Sequence, residues 1–252
     1  MGTILEVKNV NKSFGETNVL SNISFSVEKG ELIAIMGQSG SGKSTLLYNI
    51  SGMDQPSSGT VILNGKDISK LDEEKMSDVR LKHMGFIFQH SHLLKNLSIR
   101  DNIILPGFKA GKFPREQVIR LAEELMERTG IAKVAHHDIK NVSGGQLQRA
   151  AICRALINQP DILFGDEPTG ALNSSATKEV MDIINAINKD GTTVILVTHD
   201  AKVAVRADRV IFLMDGTVHA ELFLGKYNAE DSEAKMQLRE KKLTTWLEKQ
   251  GF

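Results

Sequence analysis

The stretch Gly37-Gln38-Ser39-Gly40-Ser41-Gly42-Lys43-Ser44-Thr45 decides the fold. It satisfies the phosphate-loop pattern: glycine, four residues, glycine, lysine, then serine or threonine. Its flanks agree with it. Glu31-Leu32-Ile33-Ala34-Ile35-Met36 is a short apolar run between Gly30 and Gly37 and reads as a buried strand. Thr45-Leu46-Leu47 opens a predicted helix that continues to about Gly52. A strand, a glycine-rich turn and a helix aim successive backbone N–H groups and a positive helix end at one point, where phosphate oxygens fit. Glycine at 37, 40 and 42 permits positive φ angles and close backbone approach. In such a loop Lys43 reaches the β- and γ-phosphates of a triphosphate, and the Ser44 hydroxyl coordinates Mg²⁺. The plainer reading is a glycine-rich turn without a ligand; the complete pattern between strand and helix argues against it.

A second apolar run, Asp161-Ile162-Leu163-Phe164-Gly165-Asp166-Glu167, ends in two acids. Carboxylates at the end of a buried strand are costly unless they serve a metal or a reaction. Asp166 is therefore expected to hold the hydration shell of Mg²⁺. Glu167 is expected to orient and polarise an attacking water, because phosphoryl transfer depends on in-line positioning. An acidic helix cap is the bland alternative. Gly165 is an unusual residue for a strand interior. A third run, Thr193-Val194-Ile195-Leu196-Val197-Thr198, leads into His199. A lone histidine at a strand end can be purely structural, but beside a phosphate loop and paired acids it points to γ-phosphate sensing.

Ser143-Gly144-Gly145-Gln146 taken alone is a helix start with a serine cap, followed by Leu147, Ala150-Ala151 and Leu156 as an apolar face. With the phosphate loop, Gln89, Asp166-Glu167 and His199, it closely resembles the nucleotide-binding subunit of ATP-binding-cassette transporters. The resemblance spans roughly residues 4 to 222. It implies that Gly37 to Thr45 bind the phosphates of one ATP, with Lys43, Glu167 and His199 as the catalytic groups. Ser143, Gly144 and Gln146, with Gly145 in the same stretch, would close over the γ-phosphate of an ATP held by the opposite subunit. Gln89, after Met84-Gly85-Phe86-Ile87-Phe88, would touch Mg²⁺ alongside Ser44 and Asp166 and couple the site to a membrane partner. Phe14 stands where the family usually places an aromatic that stacks on adenine; a core or surface phenylalanine is the plain alternative.

One departure is visible. Pro168-Thr169-Gly170-Ala171-Leu172-Asn173 ends in asparagine where the family typically has aspartate. Asn173 keeps hydrogen-bonding capacity and loses the charge, so slower or less coupled hydrolysis is expected. Gly85-Phe86-Ile87-Phe88-Gln89 and the Asp166 to Leu172 stretch are similar to those of the lipoprotein-release, macrolide-export and bacitracin-resistance ATPases. The resemblance implies a homodimer of ATPase subunits closing head to tail and driving an integral membrane permease supplied in trans. Export or antimicrobial-peptide resistance is the expected setting. An ATP-driven mechanical switch for a cell-envelope machine uses the same motifs.

Composition narrows the classes. Formal net charge is zero over 252 residues, so no basic field argues for nucleic acid. No apolar run approaches the ~18 to 20 residues of a membrane-spanning helix. The opening Met1-Gly2-Thr3-Ile4-Leu5-Glu6 has no signal-peptide pattern, and the single cysteine, Cys153, fits a reducing compartment. The expected place is the cytoplasmic face of the cell membrane, peripheral to the permease.

The expected fold is α/β: a phosphate-loop NTPase core with a parallel-sheet subdomain, an N-terminal antiparallel β subdomain and an inserted helical subdomain. Residues 3 to 28 read as β, Thr60 to Leu63 as a strand and Asn64-Gly65 as a turn. Residues 98 to 157 read as a helical block, with Val118, Leu121, Ala122 and Leu125 at helical spacing after Pro114. Strands at 161–166, 192–197 and 209–214 follow, and Asp215-Gly216 signals a hairpin. The cassette domain is placed at 1–222, its helical subdomain at about 90–160, and a C-terminal helical extension at 223–252. In that extension Met236, Leu243, Trp246 and Leu247 share one helical face, as in a terminal helix packed on its own core or a dimer mate. His136-His137 and His90/His92 lack a companion ligand set and read as surface histidines.

Overall fold

The opening strands alternate inward apolar and outward polar residues, which folds them as a half-buried antiparallel ladder. In the computed structural model, which describes residues 2–252, β1 (Thr3–Phe14) pairs antiparallel with β2 (Thr17–Glu28). Leu5, Val7 and Val10 face inward with Leu20, Ile23, Phe25 and Val27. β3 (Leu32–Met36) is buried along its whole length and leads through the phosphate loop into α1 (Lys43–Ile50). The helix starts two residues earlier than the Thr45 start read from sequence. Gly42, at φ 94°, closes the turn in a left-handed conformation, so Lys43 and Ser44 already belong to the first helical turn. β4 (Ser58–Leu63) joins the other side of β1 and turns through Asn64-Gly65, both at positive φ, into β5 (Lys66–Asp67), giving the order β2-β1-β4-β5.

The chain forms two compact units, one running up to Asp72 and resuming at Asn188–Phe252, the other Glu73–Ile187. The second contains α2 (Glu73–His83), β6 (Met84–Phe88), α3 (Ile99–Ala110), α4 (Arg115–Arg128), α5 (Gly144–Leu156) and β7 (Ile162–Asp166). It ends within α6 (Ser174–Lys189), at Ile187. β6 and β7 pair in parallel. Ile99, Ile103 and Ile104 of α3, Val118, Ala122 and Met126 of α4, and Ala150 and Cys153 of α5 share one core, with Leu121 and Leu125 packed against it. Gly107 lets α3 and α4 approach: a Cβ there would lie 2.6 Å from Val118 Cγ1.

The expectation of one helical block over 98–157 is corrected between α4 and α5. Gly130, at φ 69°, stops α4, and only short 3₁₀ turns at Ala132–Val134 and Ile139–Asn141 follow. The Asp138 carboxylate accepts the Lys140 N–H at 2.9 Å, a local bond that competes with helix propagation.

Back in the first unit, β8 (Thr193–Val197), the short α7 (Ala201–Ala204), β9 (Arg209–Met214), β10 (Thr217–Phe223) and α8 (Glu233–Lys249) complete the chain. β3 lies between β8 and β9, parallel to both, and β10 pairs antiparallel with β9 through the Asp215-Gly216 turn. The tail packs on the core of its own unit. Leu243 and Leu247 are buried, Trp246 meets Phe212 edge-on, and Met236 is half-buried. The Arg239 guanidinium donates to the carbonyls of Val205, Ala207, Leu224 and Gly225 at 2.6–2.9 Å. Burial pulls that guanidinium below its ordinary pKa.

Candidate active site

In the first unit the site grows from the carboxyl ends of three parallel strands, where open α/β sheets place ligands. Ile35 of β3 is in register with Val197 of β8 and with Ile211 of β9. The residues that follow β3 and β8, the phosphate loop and His199, therefore emerge side by side. Thr198 N–H donates to Ile35 O at 3.1 Å, fixing the exit from β8, and exposed His199 stands between that residue and the Asp200 cap of α7.

The loop is held from several directions. A Cβ on Gly37 would sit 2.1 Å from the Leu213 carbonyl of β9, so only glycine packs there. Ser41 N–H donates to Gln38 O, and Gly216 N–H of the β9–β10 turn donates to Ser41 O, each at 3.2 Å. Gln38, Ser39 and Gly40 are exposed at the crest, Ser41 is buried, and Gly42, Lys43 and Thr45 are half-buried. Lys43 Nζ donates to Gly37 O at 2.9 Å and to Gln38 O at 2.7 Å, so the ammonium rests on the loop's own carbonyls. Ser44 is exposed in the first turn of α1. Phe14, at the end of β1, is 55% exposed, and Lys12 Nζ lies 4.8 Å from its ring centroid. An exposed ring with a cation at one side offers a stacking surface for a flat heterocycle.

In the second unit Phe88 of β6 is in register with Asp166 of β7, so Gln89 and Glu167 leave the paired strands together. Their side chains converge over Gly170. A Cβ on that glycine would lie 3.0 Å from Gln89 Nε2 and 3.2 Å from Glu167 Oε2. Glu167 has φ 47°, a left-handed conformation that disfavours glutamate. Backbone strain of this kind clusters at functional sites. Gly165, singled out in the sequence, is buried and pairs with Ile87.

Ser143 caps α5. Its Oγ accepts the Gln146 N–H at 3.3 Å, while Gln146 Oε1 accepts the Ser143 N–H at 2.8 Å, a reciprocal capping box. Ser143 and Gly144 are exposed, and Gly145 lies against Ala176 of α6. Asn173 caps α6, its Oδ1 accepting the Ala176 N–H at 2.9 Å.

Two residues that sequence reasoning missed organise this unit. Gln148, only 2% exposed, donates to Phe88 O at 2.9 Å and to Pro168 O at 2.7 Å. One amide thus ties α5 to the residue before Gln89 and the residue after Glu167. Arg154, with its pKa lowered by burial, donates to Ser91 O and His92 O at 2.7 Å and holds the loop beyond Gln89. The only clue to Gln148 was a polar residue among the apolar positions of α5.

Ser44, in the first unit, and Asp166, in the second, each carry a hard oxygen donor. These suit Mg²⁺, which takes one or two protein ligands and fills the rest of its shell from substrate phosphates and water. Among the described residues no group of three or more His, Cys, Asp or Glu could hold a metal by itself. No helix among them is long and apolar enough to cross a membrane.

The strand–loop–helix unit and the acids that end a core strand define a phosphate-loop nucleotide-binding protein. Residues 20–170 match the family described as ABC transporter, and the chain belongs to it as an ATP-hydrolysing cassette. It is 42% identical over 215 residues to the lipoprotein-releasing system ATP-binding protein LolD of Leptospira interrogans, covering 85% of this chain and 90% of LolD. It is 45% identical over 224 residues to the macrolide export ATP-binding/permease protein MacB of Rhodopseudomonas palustris, covering 87% of this chain. The chain spans about a third of that relative's length, 34%. Among solved structures it resembles the ATP-binding cassette MJ0796 in a dimeric post-hydrolysis state bound to ADP and Pi. The TM-score is 0.81 at 36% identity, over 89% of this chain and all of that one. A second dimeric structure of MJ0796, a bacterial ABC transporter cassette, gives 0.82 at 37% identity, again over 89% of this chain and all of that one.

Proposed function

We propose that this subunit binds and hydrolyses ATP to drive a separate integral membrane permease through head-to-tail closure of two copies. The setting is export or antimicrobial-peptide resistance at the cytoplasmic face of the cell membrane. The observation that carries the reading is the convergence of Gln89 and the strained Glu167 over Gly170. A carboxylate held on an unfavourable backbone beside an amide is a group placed for chemistry rather than for packing. The dimeric cassettes of MJ0796 support closure by two copies.

In this reading the N–H groups of Gly37 to Thr45 bind the phosphates, and Lys43 Nζ neutralises the β- and γ-oxygens. Phe14 stacks on adenine. Glu167 orients the attacking water through its carboxylate, and His199 donates to the γ-phosphate. Ser44, Gln89 and Asp166 are the side chains that would hold Mg²⁺, which when bound offsets charge on the phosphate oxygens. Ser143, Gly144, Gly145 and Gln146 meet the γ-phosphate of the ATP on the other copy. The cassette spans 1–222, with the helical block at about 90–160, and 223–252 is an extension.

Glu167→Gln keeps the shape and removes the base. With ATP and Mg²⁺ it is expected to accumulate as a dimer by light scattering, with hydrolysis reduced roughly 10²- to 10⁴-fold. A strictly monomeric variant at saturating ATP overturns the closure mechanism. Capture of one integral membrane protein by the trapped dimer is the expected result for the permease; recovery of soluble proteins alone overturns that part.

A further inference from the structure

We propose that the turn closing α8 is a positioning element of the nucleotide site, which holds Gln38 and keeps the phosphate loop ordered for triphosphate. The inference rests on the ATP-binding reading above and adds to it a contact from outside the motifs. Gly251 takes φ 75° just past α8. Its N–H donates to Glu248 O and the Phe252 N–H donates to Leu247 O, each at 3.1 Å. This is the two-bond glycine cap that ends many helices. It leaves the Gly251 carbonyl facing the loop, where it accepts from Gln38 Nε2 at 3.3 Å.

The same turn reaches the loop by a second route. The Phe252 ring meets Phe212 edge-on at 6.0 Å, and Trp246, one and a half helical turns earlier, meets that ring edge-on at 6.1 Å. Phe212 precedes Leu213, whose carbonyl lies under Gly37. α8 is anchored at its middle by the four Arg239 hydrogen bonds and by buried Leu243 and Leu247. It is therefore a fixed strut, and its last turn braces the crest and floor of the loop together. A loop ordered in advance binds its ligand without the entropy of ordering it. Releasing the brace raises the KM for ATP and leaves kcat, which depends on Glu167.

The test uses Phe252→Ala, Gln38→Ala, the double variant and Phe252→Tyr. Phe252 is 41% exposed, so its truncation leaves the core in place. Phe252→Ala is expected to raise KM about three-fold with kcat unchanged, the scale of one modest hydrogen bond. Phe252→Tyr keeps the edge contact and restores KM. The double variant should raise KM by less than the product of the two single effects, because both contacts run through the one turn. Trp246 is the only tryptophan, and its emission should respond to ATP with Mg²⁺ in the unaltered chain and lose that response in Gln38→Ala. An unchanged KM in Phe252→Ala, or effects that multiply in the double variant, overturns the proposal. Failure of the unaltered chain to retain a fluorescent ATP analogue overturns the ATP-binding reading instead.

Discussion

Glu167 holds its carboxylate on a backbone conformation that suits asparagine or glycine better. Glu167→Asn and Glu167→Gln both remove the charge, but only asparagine relaxes the backbone. The asparagine variant is expected to be more stable by about 1 kcal/mol, read from denaturant midpoints, with both inactive. Equal midpoints would mean that the left-handed residue carries no strain. Asn173 has a different lesson. It caps α6 through its side-chain oxygen, a task aspartate performs equally well. Asn173→Asp should therefore leave stability within about 0.5 kcal/mol while raising the ATPase rate or its cooperativity. Unchanged kinetics would show that the missing charge is not limiting. Cys153 is packed in the core beside Thr129, and burial pushes its thiol up to about 12. The unfolded thiol ionises near ~8.5. The favourable contribution of the protonated, folded thiol is thus complete below that pH. It is lost as pH rises toward 12, by up to ~1.4 kcal/mol per unit. Cys153→Ala should flatten this alkaline loss in denaturation midpoints measured between pH 8 and 11.

At the scale of elements, Gln148 joins the residues next to Gln89 and Glu167 through one buried amide. Gln148→Leu leaves two carbonyls without that donor, and about 1–3 kcal/mol of stability should be lost for each left unsatisfied. A drop in hydrolysis beyond that of an equally destabilised core variant would show that it also positions Gln89 and Glu167. Gln148 was hard to read in the sequence because its partners lie 60 and 20 residues away. Elements with local signals were legible: the loop by its glycines, the β9–β10 hairpin by Asp215-Gly216, and α4 by its apolar spacing after Pro114. The loop's last glycine moved the start of α1 only by two residues. α2 was missed for a physical reason. Met76 is its only fully buried residue, so it offers no apolar period to read. In α6 such a period exists, since Val180, Met181, Ile184 and Ile187 are buried, and it went unused. The strain at Glu167 belongs to backbone geometry that residue type does not announce.

At the scale of the whole molecule, the proposed head-to-tail pair would build each site from two copies. Mixing Lys43→Ala with Ser143→Arg chains should then regain activity that neither has alone. If half the pairs are mixed and each holds one intact site, the recovery is about a quarter of the unaltered rate. No recovery would mean that each copy completes its own site. Lys43 itself has a further consequence. Its ammonium rests on the carbonyls of Gly37 and Gln38, so in the proposed reading nucleotide entry would be a ligand exchange rather than the filling of a vacant charge. A charged phosphate oxygen outcompetes a neutral carbonyl for an ammonium. On that reading the resting loop would set a threshold, passed only by an acceptor stronger than its own carbonyls.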